Sequence, residues 1–240
     1  MLLADLRTIY ERDPAARNWL EVLFCYPGLQ ALVFHRLAHW LHNKGLPFIP
    51  RFISQISRFL TGIEIHPGAK IGNGVFIDHG MGVVIGETAI VGDEALIYQG
   101  VTLGGTGKET GKRHPTLGNH VVVGAGAKVL GNLQIGDHVR IGAGSVVLRD
   151  VPSNTTVVGI PGRVTRQDKK SIDVLAHNQL RDVEAEVIRV LFERVKALEK
   201  RVEQLDTNPP LSPILVGEEI DNGKWNTDGL IDDFLDGAGI

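Results

Sequence analysis

The central part of the chain carries an aliphatic residue every six positions. Between residues 62 and 163 this spacing is interrupted twice, by a step of eight after Ile77 and by a step of fourteen after Leu103. A period of six fits neither the 3.6-residue α-helix nor a series of antiparallel hairpins. The thirteen repeating positions are Ile65, Ile71, Ile77, Ile85, Val91, Ile97, Leu103, Leu117, Val123, Val129, Ile135, Ile141 and Val147.

This period predicts a solenoid in which each unit is a short strand plus a tight corner, with three units to a triangular coil. The aliphatic side chains would point inward and stack, and glycine suits the corners because left-handed backbone costs it little. A glycine-rich linker is the alternative to a solenoid, but a linker would not be expected to keep thirteen aliphatic residues in register. The two interruptions predict loops expelled from the prism at residues 77–84 and 104–116. In solenoid proteins, functional residues are concentrated in such loops.

Residues 1–61 show helical spacing and predict a small helical domain. We expect Cys25, which has an aromatic residue on each side, to lie in the core of this domain. One predicted helix begins at Asp13-Pro14, a typical N-cap followed by a first-turn proline. A second begins at Pro27-Gly28, carries an apolar stripe from Leu29 to Leu41 and ends at residues 43–45. A last helix covers about residues 47–60.

Two further segments follow the repeat region, which ends near residue 163. Residues 171–205 predict one long helix whose apolar residues occupy the a and d positions of three successive heptads, from Ile188 to Leu205. Such a helix pairs within an oligomer or, alternatively, lies singly against the solenoid. Residues 206–240 are acidic and predict a flexible tail, which ends in the apolar Ile240.

Composition narrows the function classes. The net charge of −3 argues against a broad basic surface for nucleic acid or anionic lipid. The single cysteine cannot form an internal disulfide, and the chain shows neither a signal-peptide pattern nor an apolar run long enough for a bilayer, so we expect a cytoplasmic protein. Glycine occurs 29 times, a share well above the usual value of about 7%.

Histidine is the natural candidate for proton transfer near neutral pH. His79 opens the first irregular unit, and His114 ends the second expelled loop. Glu64 precedes His79 by fifteen residues, an offset that predicts adjacent coils, one corner apart. A carboxylate there could orient the histidine as a general base for acyl transfer. A solvated corner histidine without a catalytic role is the alternative.

Several segments together resemble the serine O-acetyltransferases, a family of hexapeptide-repeat acyltransferases. The resemblance covers about residues 8–163 and implies a left-handed parallel β-helix that assembles as a homotrimer or a dimer of trimers, with active sites between prisms. The segments that carry it are Ile63–Gly72, Asp78-His79, Gly86-Glu87-Thr88, Thr102–Lys108, Arg113-His114-Pro115 and Gly142–Val147.

The resemblance also implies roles for individual residues. His79 would be the general base that deprotonates the hydroxyl of L-serine. Glu64 stands where the family usually has aspartate and would orient that base. The substrate would be held by Asp13, Asp78, Arg113 and His114, and acetyl-CoA, the co-substrate, by Gly104, Gly105, Thr106, Lys108, Ala125, Lys128 and Ala143.

The same resemblance implies the partners of the enzyme. It needs no metal and no permanently bound cofactor, forms O-acetyl-L-serine on the route to cysteine, and is inhibited by L-cysteine. Its C-terminal isoleucine, here Ile240, would insert into the active site of O-acetylserine sulfhydrylase.

Three other functions stay open at this point. A γ-type carbonic anhydrase on the same scaffold would use His114, His120 and His138 as metal ligands. A sugar or antibiotic O-acetyltransferase would share the repeat. A non-enzymatic β-helix that only presents its acidic tail is the third possibility.

Overall fold

The structure is a computed structural model that describes residues 2–107, 110–165 and 183–205. Lys108, residues 171–182 of the predicted helix, and the predicted tail with Ile240 lie outside the described residues. The chain divides into two compact units, residues 1–181 and 182–240. None of the helices that the structure describes has the length and apolar character of a membrane span.

The helical domain contains four helices before the repeat region. Their bounds are α1 Leu2–Arg12, α2 Trp19–Cys25, α3 Pro27–Asn43 and α4 Ile49–Thr61. The predicted helix start at Asp13-Pro14 is wrong, because α1 ends there and α2 begins later. Asn18 is the N-cap of α2, and its side chain accepts the backbone N–H of Glu21.

The repeat region forms the expected left-handed parallel β-helix. Strands from successive coils stack into a first sheet in the order β1-β4-β7-β10-β13, a second sheet β11-β8-β5-β2 and a third sheet β15-β14-β12-β9-β6-β3. All pairings are parallel except that of β15 with β14. The strands are β1 Glu64–Ile65, β2 Lys70–Ile71, β3 Phe76–Ile77, β4 Val84–Ile85, β5 Ile90–Val91, β6 Leu96–Ile97, β7 Thr102–Gly104, β8 Thr116–Leu117, β9 Val122–Val123, β10 Lys128–Leu130, β11 Gln134–Ile135, β12 Arg140–Ile141, β13 Val146–Val147, β14 Thr156–Val158 and β15 Arg163–Thr165.

The interior of the prism is the aliphatic stack that the period predicts. All thirteen repeating side chains are at most 9% exposed, and the small residues four positions later are buried with them. The step of fourteen is a single corner between β7 and β8, so its eight extra residues leave the prism there. Inward packing of every sixth side chain therefore holds the register while the corners vary.

The helical domain closes the open end of the prism. Leu32 of α3 joins the aliphatic stack, and α3 approaches so closely that a Cβ on Gly28 would lie 2.0 Å from the carbonyl oxygen of Ile77. Side chains of the helices also bond carbonyls of the first coil. The Ser54 hydroxyl donates to Ile65 O at 2.9 Å, and His39 Nδ1 lies 2.7 Å from Pro67 O.

A buried ion pair joins two helices to this first coil. The Asp5 carboxylate, which is fully buried, accepts from Arg36 Nη2 at 2.8 Å and from the N–H of Gly74 at 2.8 Å. Arg36 also donates to Ile71 O and Gly72 O. Because the pair bonds backbone as well as itself, it fixes α1, α3 and the second corner of the first coil together.

The outer surface of the third sheet is covered as well. Its outward side chains, Phe76, Leu96 and Val122, form a second core with Ile9 of α1 and Val22 of α2. The six-residue period does not predict this core, since it marks only the inward positions. The packing places the segment between α1 and α2 next to the corner that follows β3.

The expectation that Cys25 lies in the core of the helical domain is wrong. Cys25 is exposed, because α2 turns its other side to the third sheet. The apolar stripe of α3 is divided, with Leu29 and Leu32 buried and Leu37 and Trp40 exposed by 50% and 57%. Helix α4 likewise buries small residues and exposes large ones, including Phe52 and Phe59.

The second unit is described by the helix α5, Val183–Leu205. The described part of the predicted helix is thus helical to Leu205, as the heptad spacing indicates. Its apolar residues at heptad positions are exposed in the single chain, among them Leu191 by 55% and Leu198 by 61%.

We expect Asp5→Asn to lower the free energy of unfolding by about 3 kcal/mol or more, because it leaves the Arg36 guanidinium without its buried counter-charge. Glu11→Gln is the control, since Glu11 pairs with Arg7 on the surface of the same helix and exposed pairs contribute about 0–1 kcal/mol. Denaturant unfolding of both variants measures the difference. Equal losses would mean that the buried pair does not anchor the domain.

Candidate active site

The predicted site residues that lie in corners occupy two different edges of the prism. The others are Asp13 in the helical domain and Glu64, Gly104 and Lys128 on strands of the first sheet, with Lys108 outside the described residues. The corners after the third sheet form one edge, called here the His79 edge, which comprises residues 78–83, 98–101, 124–127 and 142–145. The corners after the first sheet form another, the Arg113 edge, which comprises residues 66–69, 86–89 and 105–115. The first sheet separates the two edges in a single chain.

His79 stands at the first corner of its edge with its side chain 76% exposed. Its backbone is left-handed, with φ of 56°, a region that few residues other than glycine adopt. The same conformation recurs at His120 and His138 on the third edge of the prism, so backbone geometry alone does not single His79 out. What distinguishes it is a pair of interacting carboxyl groups, one of which lies close to its ring.

These carboxyl groups belong to Asp78 and Asp13. Asp78 Oδ1 lies 3.9 Å from His79 Nε2, and burial together with the nearby Asp13 charge raises the pKa of Asp78. Asp13 Oδ2 accepts the Tyr26 hydroxyl at 2.5 Å. Burial and this bond raise the pKa of Tyr26, so the phenol stays protonated. Two acidic groups that face each other favour a cation between them.

The Glu64 carboxylate lies 3.1 Å from Arg58 Nη1 and is 23% exposed. The first corner of the His79 edge contacts the backbone close to Glu64, where the N–H of Gly82 donates to Gly62 O at 2.9 Å. The side-chain partner of Glu64 in the structure is Arg58 of α4, and the orienting role of Glu64 stays a prediction.

The Arg113 edge carries the positive charge. Arg113 Nη2 donates to Glu87 Oε2 at 2.6 Å, and this bond lowers the pKa of Glu87. Burial lowers the pKa of His66 to about 4. Arg113 thus presents a guanidinium, oriented by a carboxylate, next to histidines that are neutral at pH 7. Guanidinium groups suit carboxylate ligands.

His114 is 8% exposed and is held through one ring nitrogen. The backbone N–H of Thr88 donates to His114 Nδ1 at 3.2 Å, and the Thr88 hydroxyl lies 2.9 Å from the same atom. Because Nδ1 accepts, the proton of the neutral ring is on Nε2. Burial lowers the pKa of His114 and favours this neutral form. Gly86 permits the packing, since a Cβ there would lie 2.1 Å from Nε2.

The Thr88 hydroxyl also accepts the backbone N–H groups of Arg113 and His114, at 3.0 and 3.1 Å. Lys112 Nζ donates to the carbonyls of Thr88 and His114. The end of the expelled loop is therefore tied to the corner one coil earlier.

The residues expected to bind CoA are likewise divided between the edges. Ala125 and Ala143 lie on the His79 edge, beside a row of stacked glycines with positive φ, Gly100, Gly126 and Gly144. Gly105 and Thr106 lie on the Arg113 edge and follow Gly104, the last residue of β7. Lys128 is on β10 of the first sheet between the edges, and its Nζ donates to Gly100 O. Lys108 lies outside the described residues.

The histidines of the carbonic anhydrase alternative, which would meet across a trimer interface, lie on two different edges of one chain. His120 and His138 stack with their rings nearly parallel and 4.8 Å apart on the third edge, whereas His114 lies on the Arg113 edge. Within residues 2–107, 110–165 and 183–205, no group of three or more histidine, cysteine or acidic side chains is arranged to hold a metal ion.

Comparison with known proteins decides the family. Residues 114–149 match the family "Bacterial transferase hexapeptide (six repeats)". The chain is 65% identical over 240 residues to the serine acetyltransferase of Synechococcus elongatus, covering 100% of this chain and 98% of that protein. The serine acetyltransferase of Synechocystis is 71% identical over 204 residues, which are 85% of this chain and 82% of that protein. The chain belongs to the serine acetyltransferase family. It is therefore an acyltransferase, and the non-enzymatic and carbonic anhydrase alternatives are set aside.

Solved serine acetyltransferase structures share the fold. The enzyme of Neisseria gonorrhoeae in complex with serine matches with a TM-score of 0.67 and 44% identity, covering 69% of this chain and 67% of that one. A complex with cysteine gives 0.72 and 40%, covering 75% and 70%. The Brucella abortus enzyme in complex with coenzyme A gives 0.68 and 45%, covering 71% and 68%.

Sequence reasoning missed three groups in this serine acetyltransferase: Tyr26, and Glu87 and Thr88 as supports of Arg113 and His114. Repeat arithmetic contains the signal for the last two. Glu87 precedes Arg113, and Thr88 precedes His114, by 26 residues, which is one coil plus the eight residues of the expelled loop. No pattern in the sequence predicts the contact of Tyr26 with Asp13, because it depends on how α2 packs.

We expect Thr88→Val to raise the Michaelis constant for serine by about tenfold or more, if Arg113 and His114 hold the substrate as the sequence predicts. The variant leaves the N–H groups of Arg113 and His114 without their acceptor, at a cost of about 1–3 kcal/mol each, and 1.4 kcal/mol is one decade. It also removes one of the two hydrogen bonds at His114 Nδ1 and keeps the one from the backbone. Thr116→Val, in the half-buried strand β8, is the control. Steady-state kinetics with both substrates measure the change. An unchanged constant for serine would contradict the positioning role of Thr88.

Proposed function

We propose that this enzyme transfers the acetyl group of acetyl-CoA to the hydroxyl of L-serine, giving O-acetyl-L-serine and CoA, the first step of cysteine biosynthesis from serine. The observation that carries this proposal is that one chain has both an acidic subsite around His79 and a guanidinium subsite around Arg113. A serine complex is known for a relative that is 44% identical.

Serine presents an ammonium group and a carboxylate a few ångströms apart. The ammonium group suits Asp13 and Asp78, and the carboxylate suits Arg113 and the Nε2–H of His114. One chain holds these subsites on different edges, so a single copy offers only half of the complementarity. We infer that the His79 edge of one copy meets the Arg113 edge of another, as in a cyclic trimer. Whether two trimers join further does not affect this site.

His79 is the general base of the proposed reaction. Its unprotonated ring nitrogen takes the proton of the serine hydroxyl while the oxygen attacks the thioester carbonyl. The tetrahedral intermediate collapses with cleavage of the carbon–sulfur bond, and the imidazolium returns the proton to the departing thiolate. Glu64 orients and stabilises this imidazolium, provided that substrate binding moves its carboxylate from Arg58. No acyl-enzyme forms.

Acetyl-CoA occupies the surface of the first sheet between the edges. The stacked glycines of the His79 edge, with Ala125 and Ala143, leave backbone accessible to a long, narrow chain. Lys128 and Lys108 supply positive charge, and Gly104, Gly105 and Thr106 supply amide groups for anionic groups of the cofactor. A relative in complex with coenzyme A supports this assignment.

L-Cysteine differs from serine by one atom, so the same charged groups accept it. We infer that cysteine competes with serine at this site and so provides feedback inhibition. A cysteine complex of a relative that is 40% identical supports this inference.

His79→Ala should lower turnover with acetyl-CoA and L-serine by about 10²–10⁴-fold, the usual contribution of a positioned general base. His138→Ala is the matched control, because His138 has the same backbone conformation on the third edge, with φ of 56° in both residues. Release of free CoA thiol measures turnover. A His79→Ala variant with most of its activity would remove His79 from the mechanism.

The same assay separates the two roles. Glu64→Gln should cost less than His79→Ala, since it weakens orientation but leaves the base in place. A larger loss in Glu64→Gln would require the roles to be exchanged.

The C-terminal residue is proposed to bind the enzyme that uses the product. The α-carboxylate of Ile240 can imitate an amino-acid carboxylate, and its side chain adds buried apolar area. Deletion of Ile240 should weaken binding to O-acetylserine sulfhydrylase by about tenfold or more, since 1.4 kcal/mol is one decade, and leave acetyl transfer unchanged. Calorimetry of the full chain and the truncated chain tests this. Equal affinity would contradict the partner.

A further inference from the structure

Helix α5 carries an apolar seam that is exposed among the described residues. Five aliphatic side chains lie along it at alternating steps of three and four, and each is between 38% and 61% exposed. They are Ile188, Leu191, Val195, Leu198 and Val202. Such spacing averages 3.5 residues, the repeat that keeps one stripe facing a partner helix, whereas an isolated helix repeats every 3.6.

The seam is too large to be an incidental surface feature. Burial of aliphatic side chains is the main favourable contribution to most protein association, and a helix in water draws most of its stability from packing such a face. A helix of 23 residues with five of these side chains in one line therefore requires a partner with a matching line.

We propose that α5 pairs with α5 of a second copy of this chain in a parallel, in-register coiled coil. A second copy presents the same seam, with the same spacing and length. With Ile188 at position a, the flanking e and g positions include Phe192, Arg194, Glu199 and Arg201.

The flanking charges select the orientation. In a parallel coil each g residue faces the e residue five positions later in the partner helix, so Arg194 faces Glu199 of the second copy. An antiparallel coil with the same apolar layers sets Arg194 against Arg201. Opposite charges favour the first arrangement, and like charges oppose the second.

The remaining described flank is compatible with this pairing. Phe192 is half-buried within its own helix, because Lys196 Nζ lies 4.3 Å from the centre of its ring. Phe192 thus places an apolar side chain, partly covered by Lys196, at the e position of that heptad. No charged side chain borders the seam at this position. In the parallel arrangement every copy presents Leu205 at the same end of the coil.

Disulfide cross-linking tests the seam in the full-length chain with Cys25→Ser as background. In a parallel, in-register coil Leu198 faces itself, so Leu198→Cys should form an interchain disulfide on mild oxidation. Lys200→Cys, on the opposite side of the helix, is the matched control and should give at least several-fold less. A disulfide requires Cα atoms within about 7 Å. Equal yields at the two positions would overturn the proposal.

Charge exchange tests the orientation. Arg194→Glu should reduce the Leu198→Cys yield at low salt, and Arg194→Glu combined with Glu199→Arg should restore it. The two residues are five apart and do not face each other within one helix, so restoration reports a contact between copies. Glu193→Arg, outside the seam, should change nothing. A higher yield in Arg194→Glu, or cross-linking only between cysteines at 195 and 198, would mean an antiparallel coil and would overturn the proposal.

Discussion

The first coil of the parallel β-helix leaves backbone carbonyl groups that no further coil can pair. The rest of this structure depends on how the helical domain closes that end of the prism. The helical domain closes it with an apolar plug, Leu32, and with polar side chains on the first-coil carbonyls. Arg36 is central, because it bonds two of these carbonyls and the buried Asp5 at once. An unsatisfied buried carbonyl costs about 1–3 kcal/mol, so the cap cannot be shifted without loss. Its fixed position sets where α1 and α2 meet the third sheet.

This placement connects the fold to the chemistry. Covering the outer surface of the third sheet brings Asp13, a residue of the helical domain, beside Asp78 and His79 at the first corner. The acidic subsite is therefore made by two parts of the chain that are 65 residues apart. The Arg113 subsite is made within the prism, where the expelled loop returns to the coil before it.

The prism could be predicted from the sequence because each inward aliphatic side chain packs against the equivalent aliphatic side chains of the adjacent coils. Ile65, Ile85 and Leu103 stack on one another, so the chain must repeat the same residue class at a fixed interval. The helical domain has no such repetition. Cys25 and the division of the α3 stripe depend on which side of a helix meets the prism, and α4 even buries Ser54 and Ser57 while it exposes Phe52. The pairing of Glu64 with Arg58 escapes prediction for the same reason, since Arg58 belongs to α4.

In the proposed reaction, the division of the site between two edges explains how a repetitive scaffold is selective for an amino acid. Neither edge by itself fits both charges of the substrate, so a simple amine or a simple carboxylic acid satisfies only half of the site. On the acidic side, burial and the neighbouring Asp13 raise the pKa of Asp78, and a bound ammonium group acts in the opposite direction. Binding of the ammonium group and ionisation of Asp78 therefore favour each other. Because Asp78 Oδ1 lies 3.9 Å from His79 Nε2, the carboxylate that holds the substrate also stands beside the proposed base.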